Sequence, residues 1–239
     1  MKALRIKAYQ ETACYKRPFA TKVTETYPLP PYSTVKGMLH KVLDAEQLIP
    51  FSLSIQGDYE TLIVDYRKTY FVKKNTVNMP IIFDGLAVDA PTFSDMTSMP
   101  LYTHMLYNVD LVFHITAEEP ILEELYLKFK HLDFHPSLGR HEDLLRIDEV
   151  KMVELQELDL LAEAELKHSM YIPAAKVDET ELSSGVPYVL NWTYNVKNGI
   201  RDWHKIPVVY FEKGKLINDD LMDDTVFIDD ENHIVIWNV

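Results

Sequence analysis

Two stretches of the chain carry residue types that could do chemistry as well as pack. The first runs Thr26-Tyr27-Pro28-Leu29-Pro30-Pro31-Tyr32-Ser33-Thr34-Val35-Lys36-Gly37-Met38-Leu39, where hydroxyls, a lysine and the free amides of a helix start converge. Unpaired N–H groups and the helix dipole draw anions to such a start, so a phosphate would be well held beside Ser33 and Lys36. A plain proline-led core helix is the competing reading. The second stretch is Ser137-Leu138-Gly139-Arg140-His141-Glu142-Asp143-Leu144, a polar turn in which Gly139 permits close backbone approach and Arg140 offers a planar fork for phosphate. His131, His135 and His141 lie near one another, but Pro136 breaks the helical register and no carboxylate pair completes a ligand set, so neither a metal site nor a cofactor is expected.

The elements that must position these residues follow from periodicity. Lys2 to Tyr9 alternates, with Leu4, Ile6 and Ala8 on one side and Arg5, Lys7 and Tyr9 on the other, a half-buried strand with a basic and aromatic outer face. The proline run then leads into a helix with Ser33 as N-cap and Val35, Met38, Leu39, Val42 and Leu43 on one face. Gly37 inside that helix costs about 1 kcal/mol relative to Ala, which marks a place where another backbone or a ligand comes close. Phe51 to Ile55 and Tyr59 to Tyr66 are expected to pair as a hairpin through Gln56-Gly57-Asp58. Residues 67–105, with Arg67, Lys68, Lys73, Lys74, Pro80, Pro91 and Pro100, read as a projecting insertion.

Tyr107 to Thr116 is a further strand, Glu118 to Leu132 a second amphipathic helix with an acidic first turn, and Val150 to Leu155 a strand. The order β, α, β, β, α, β with an insertion predicts an α+β fold whose first domain, residues 1–155, is ferredoxin-like. Residues 156–239 form a β-rich acidic C-terminal domain, with hairpin signals at Val186 to Val196, Ile206 to Phe211, and Val226 to Ile228 against Ile234 to Trp237.

Charge separates the two parts. The formal net charge is −13, but residues 1–80 hold 12 Lys+Arg against 7 Asp+Glu, a net of +5, and residues 81–239 hold 12 against 30, a net of −18. The basic part can therefore present a local phosphate-binding face from Arg5, Lys7, Lys16 and Arg17 together with Ser33, Lys36 and Arg140. The acidic run Asp219, Asp220, Asp223, Asp224, Asp229, Asp230 and Glu231 is either a solvated face or a docking surface for a basic partner. Cys14 is the only cysteine, which excludes an internal disulfide and a thiolate zinc site. With no apolar run near the roughly 18 residues of a membrane span and no apolar signal core, a cytoplasmic location without membrane contact is expected.

Together the two motifs resemble those of the CRISPR-associated RAMP proteins of the Cas-five family, whose N-terminal signature reads much like this Tyr-Pro-Leu-Pro-Pro-x-Ser-Thr-Val-Lys-Gly-Met-Leu and whose first domain closes with a similar Leu-Gly-Arg-x-Glu-Asp. The resemblance covers residues 1–155. It implies an RRM-like first domain and a β-hairpin thumb at about 67–105, with Arg67, Lys68, Lys73 and Lys74 on it. It further implies a noncatalytic subunit of a type I Cascade, most like type I-B, that caps the 5′ handle of the CRISPR RNA (crRNA) for RNA-guided targeting of DNA in antiviral defence. The expected partners are that RNA, the backbone and large subunits, and target DNA through the complex. The RNA-contacting residues on this reading are Arg5, Lys7, Lys16, Arg17, Tyr27, Ser33, Lys36, Gly37, Gly139 and Arg140, which would hold backbone phosphates and stacked bases.

An enzyme reading stands beside it. Some relatives, those of type I-C systems, resemble metal-independent endoribonucleases, which need a base for the 2′-OH and a cation for the phosphorane. Tyr27, Tyr32, Lys36, His40 and Lys167-His168 are the candidates, at no spacing that singles out a pair. A tyrosine near its reference value of about 10 is a poor base unless a cation such as Lys36 depresses it. A third reading makes the acidic half a scaffold wedge between the large subunit and the backbone filament.

Overall fold

A computed structural model describes residues 1–18, 22–72, 96–159, 163–222 and 224–239. Strand β1 (Lys2–Ala13) is followed by helix α1 (Tyr32–Leu43), then by two 21-residue strands, β2 (Ser52–Val72) and β3 (Met96–Thr116). Helix α2 (Glu119–Lys130) and β4 (Arg146–Glu154) complete the first part. Strands β5 (Ser169–Pro173), β6 (Val186–Lys197) and β7 (Ile200–Phe211) follow, and the short pair β8 (Phe227–Ile228) and β9 (Ile234–Val235) ends the chain. One sheet runs β4-β1-β3-β2-β5-β7-β6, antiparallel at each of these pairings, with Val23–Thr24 added parallel to β3. The sheet does not stop at residue 155, because β5 pairs with β2 at Gln56 and Gly57 and carries β7 and β6 beyond it.

Both helices lie over one face. Leu4, Ile6 and Ala8 of β1 join Leu53, Ile55, Phe113 and Ile115 in a core with Val35, Leu39 and Val42 of α1 and Leu122, Leu125 and Phe129 of α2. This is the expected inward set of β1, and burial of such side chains at about 25 cal/mol per Å² is what holds the helices down.

The opposite face departs from its sequence pattern. Lys151, Arg5, His114 and Ser54 stand in register across β4, β1, β3 and β2, an alternation that reads as solvent-facing. The C-terminal segment lies across this row. Asn238 exchanges hydrogen bonds with the Leu53 backbone, its Oδ1 accepting from Leu53 N at 2.7 Å and its N–H donating to Leu53 O at 3.0 Å. Gln56 Nε2 donates to Ile234 O at 2.5 Å, and Ala3 packs with Val153, Val235 and Trp237. Arg5, His114 and Ser54 are buried because the C-terminal segment covers them and bonds to them, whereas Lys151 stays exposed beside Asp230.

Three local expectations change. The Gln56-Gly57-Asp58 hairpin is instead the interior of continuous β2. A Cβ at Gly57 would lie 2.4 Å from Asp110 O and 2.9 Å from a Leu111 methyl, so the glycine serves close strand approach where β5 joins and not a turn. Ser33 is not the N-cap of α1. Pro31 holds that place in an extended conformation, its carbonyl accepting from Thr34 N and Val35 N, and no side chain caps the helix. Residues 67–72 and 96–105 are regular strand, with Lys68 opposite Pro100. The remaining part of the projecting insertion, with Lys73 and Lys74, falls outside the described residues.

Candidate nucleic-acid interface

Helix α1 begins where Pro30-Pro31 fixes an extended entry, and Tyr171 of β5 pins that entry. The Tyr171 hydroxyl donates to Leu29 O at 2.8 Å and accepts from Leu29 N at 3.2 Å, and the Tyr32 hydroxyl donates to Tyr171 O at 3.3 Å. Tyr32 is wholly buried among Tyr171 and Trp192, and burial pushes its phenol well above the ordinary range. The expectation that a cation such as Lys36 depresses it is thereby reversed. Lys36 is only 8% exposed, and no hydrogen bond or ion pair among the described residues engages its ammonium. Its Nζ sits 4.9 Å from the centre of the Trp192 ring, and burial lowers its pKa.

A cleft of about 490 Å³ opens between the exposed side of α1 and the β6–β7 hairpin. Ser33, Lys36 and Gly37 form one wall and Tyr194, Arg201 and Trp203 the other. The Arg201 guanidinium carbon is 4.6 Å from the Tyr194 ring centre and 6.0 Å from that of Trp203, and the two rings meet edge to face at 5.0 Å. Among the described residues outside its own helical turns, none lies within 4 Å of a Cβ placed at Gly37. The expected approach of another backbone to this glycine is therefore absent, and the helix surface there faces the cleft. His40 is a structural residue: its Nε2 accepts from Ile49 N at 2.9 Å, which places the proton on Nδ1, donated to Lys36 O at 2.8 Å.

The other basic residues do not form one open face. Arg5 is fully buried under the turn between β8 and β9, donating to Glu149 (2.9 Å), Asp229 (2.7 Å), Asp230 (2.8 Å) and Glu231 (2.5 Å). Lys7 Nζ donates to Glu231 at 2.6 Å. Arg17 pairs with Glu25 at 3.0 Å and stacks over Tyr27 and Tyr188. Lys16, in a β-bridge with Thr26, is exposed. The acidic run of the sequence is correspondingly divided. Asp229, Asp230 and Glu231 are spent on β1 and on Lys151, Asp224 pairs with Lys176 at 2.7 Å, Asp219 and Asp220 are exposed, and Asp223 is outside the described residues.

The turn at 137–144 is likewise satisfied from within. Asp143 accepts from Cys14 N at 2.9 Å, from Arg140 N at 3.0 Å and from the Arg140 guanidinium at 2.6 Å. Gly139 has φ of +102°, and a Cβ there would lie 2.9 Å from Cys14 O. Its close approach is thus to the chain's own backbone. Arg140 remains one-fifth exposed, with its fork turned to Asp143 and Glu142.

On the hairpin arm, β2 and β3 pair only with each other among the described residues from Arg67↔Leu101 outward. Leu62, Val64 and Tyr66, at alternate positions on one side, are exposed, and Tyr66 faces Tyr102 with ring centres 5.5 Å apart. Arg67 pairs with Asp65 at 2.6 Å, and Lys68 lies over the Tyr70 ring at 5.3 Å.

A family model described as CRISPR-associated protein (Cas_Cas5) matches residues 3–207. The chain belongs to that family. Among solved structures, a chain of a CRISPR RNA-guided surveillance complex aligns with a TM-score of 0.58 at 10% identity, covering 90% of this chain and 91% of that one. The crystal structure of a Cas protein gives 0.51 at 12% identity, covering 89% and 95%. These likenesses concern the fold, α+β with one large antiparallel sheet and two α-helices among the described residues. No curated protein matches in sequence.

In this Cas5-family chain none of the proposed cleavage residues pairs a free base with a cation. Burial raises Tyr27 as it does Tyr32, and His168 is held by Asp58 at 2.8 Å. Among the described residues, His114, Asp229 and His233 have side-chain atoms close enough to share a cation. Asp229 Oδ2 already accepts from His114 Nε2 at 3.0 Å, His233 Nδ1 at 2.9 Å and Arg5 Nη1 at 2.7 Å, so the carboxylate of this cluster is engaged by the chain's own donors. Sequence reasoning passed over Tyr194, Arg201 and Trp203. Asn198-Gly199, both at positive φ, is a two-residue hairpin signal that would have shown β6 and β7 to be one long arm bringing them over α1.

Proposed function

We propose that this chain is a noncatalytic RNA-binding subunit of a type I CRISPR effector complex, most like type I-B, that caps the 5′ handle of crRNA. The observation that carries this reading is the family match over residues 3–207. The likeness at TM-score 0.58 to a chain of an RNA-guided surveillance complex supports it, as does the strand order β4-β1-β3-β2 with both helices on one face, the arrangement of a ferredoxin-like, RRM-like unit within residues 1–155. The two-stranded arm of β2 and β3 serves as the thumb. An isolated ribbon is marginal in water, and the exposed Leu62, Val64 and Tyr66 at its base suit a neighbouring backbone subunit. Exposed acidic groups of residues 156–239, such as Asp219 and Asp220, face the large subunit, and target DNA is met only through the assembled complex. No described helix is long and apolar enough to cross a membrane, consistent with work in the cytoplasm.

The test is incubation of the purified chain with labelled repeat RNA in EDTA under single-turnover conditions. Binding without cleavage is expected. Cleavage abolished by Tyr32→Phe or Lys36→Ala would overturn the noncatalytic reading in favour of a metal-independent endoribonuclease.

A further inference from the structure

We infer that the cleft between α1 and the β6–β7 hairpin is a subsite for one nucleotide of the bound RNA, with its phosphate at Lys36 and its base against Tyr194 and Trp203. This rests on the RNA-binding reading above and assigns a second wall, from the acidic C-terminal part, that the sequence motifs do not contain.

Lys36 is largely buried as a residue and no carboxylate among the described residues pairs its ammonium, so it has given up hydration that a single cation–π contact with Trp192 replaces only in part. An anion entering the cleft would supply the missing partner. The facing wall has the composition of a stacking platform: two aromatic rings 5.0 Å apart and a guanidinium over them that no ion pair among the described residues engages. Gly37 keeps the helix side of the cleft bare, with open space where any other residue would carry a Cβ. Ser33 adds a hydroxyl at the helix start, where free amides also favour a phosphate oxygen.

The volume of about 490 Å³ suits a nucleotide and not a folded protein segment. Glu46 is the one carboxylate among the residues lining it. Two cations against one carboxylate match a single phosphate plus a neutral base better than a polyphosphate. A nucleotide could arrive within an RNA strand or free in solution. The cleft lies between half-buried Ser33 and exposed Gly37 on one side and an exposed hairpin on the other, which leaves it open to a strand from the hairpin side.

The experiment uses the full chain and a short single-stranded RNA of the repeat sequence, with adenosine monophosphate (AMP) as the free-nucleotide probe. Binding is read by fluorescence anisotropy across salt and by quenching of Trp203, which is one of three tryptophans. Lys36→Met, which keeps the aliphatic stem, Arg201→Ala and Trp203→Ala are each expected to lower RNA affinity about tenfold. Lys36→Met should also lower the slope of log affinity against log salt by about 0.7. Arg201 is exposed, so its variant should melt as the parent does, separating binding from folding. Tight RNA binding by the parent with unchanged affinity in Arg201→Ala and Trp203→Ala would overturn the subsite while leaving the RNA-binding reading intact. Absence of RNA binding by the parent, alone and in the assembled complex, would overturn that reading. Saturation by AMP that RNA does not compete away would overturn the assignment to a strand.

Discussion

Arg5 and Asp229 are 224 residues apart in the chain and 2.7 Å apart in space, and the side chains of both are 0% exposed. Through this pair the C-terminal turn closes over the sheet face opposite the helices, and the basic first part of the chain is neutralised by the acidic second. Asp229 Oδ1 also accepts from Glu231 N and His233 N, so the carboxylate shapes the turn that delivers it. Burial alone would raise its pKa. Hydrogen bonds from His114, His233 and Arg5 hold it well below the usual carboxylate range instead.

Removing one partner of this pair leaves a buried charge unmatched. Asp229→Asn or Arg5→Met is expected to cost about 3–5 kcal/mol in urea unfolding. Replacing both, by Arg5→Met with Asp229→Leu, should recover part of that loss. A double variant as unstable as the sum of the singles would show that the two residues do not act as a pair.

Acid should loosen the same clamp in two stages. Burial pushes the His114 imidazole below its ordinary 6.5, so below that pH the unfolded chain binds a proton the fold does not, and stability falls as pH drops through that window. Asp229 adds a second loss below about 3.8, where the unfolded carboxyl protonates and the folded one does not. The urea midpoint should therefore drop between pH 7.5 and 5.5, by at most about 1.4 kcal/mol per pH unit for one proton. His114→Gln should flatten the profile in that range, and an unchanged slope would assign it to other groups.

The elements of the first part were legible because their periodicities reflect one buried side: Leu4, Ile6 and Ala8 inward on β1, and Val35, Leu39 and Val42 on α1. The opposite face was not. Alternation says only which residues avoid the first core, and Arg5, His114 and Ser54 look the same whether water or a distant segment covers them. Gly57 misled for a related reason, since a glycine demanded by a neighbouring strand and one demanded by a turn are identical in sequence. Of the candidate site, the α1 wall could be read from local spacing. The hairpin wall required knowing that β5 docks on β2, a contact between residues more than 100 positions apart.

The exposed side of β2 at the base of the hairpin arm offers a prediction about assembly. Leu62→Ser, Val64→Thr and Tyr66→Ser remove apolar surface that packs on nothing in this chain's core, so each should change stability by about 0.5 kcal/mol or less. The combined variant should nonetheless join the effector complex poorly when co-expressed with the other subunits. Normal incorporation would count against the arm as a contact surface.

Gly139→Ala tests the turn at 137–144 separately. The left-handed backbone and the 2.9 Å approach to Cys14 O both resist a methyl group, so a loss of about 1–3 kcal/mol is expected. Because Asp143 links this turn to Cys14 and to Arg140, the loss should come with faster amide exchange at Cys14, whose N–H donates to Asp143. Unaltered exchange there would localise the strain elsewhere.

Gly37 separates stability from binding most sharply. It lies in the interior of α1, where glycine is about 0.5–1 kcal/mol worse than alanine, and no described residue beyond its own helical turns lies within 4 Å of an added Cβ. Gly37→Ala should therefore stabilise the free protein by about that amount, raising Tm by roughly 2–4 °C per kcal/mol for a chain of this size. The new methyl would project into the cleft that Lys36 and Trp203 line. RNA affinity should consequently fall, and Gly37→Leu should lower it further with little additional change in Tm. A variant that melts higher and binds RNA as the parent does would mean that the bare helix surface is not kept clear for a ligand.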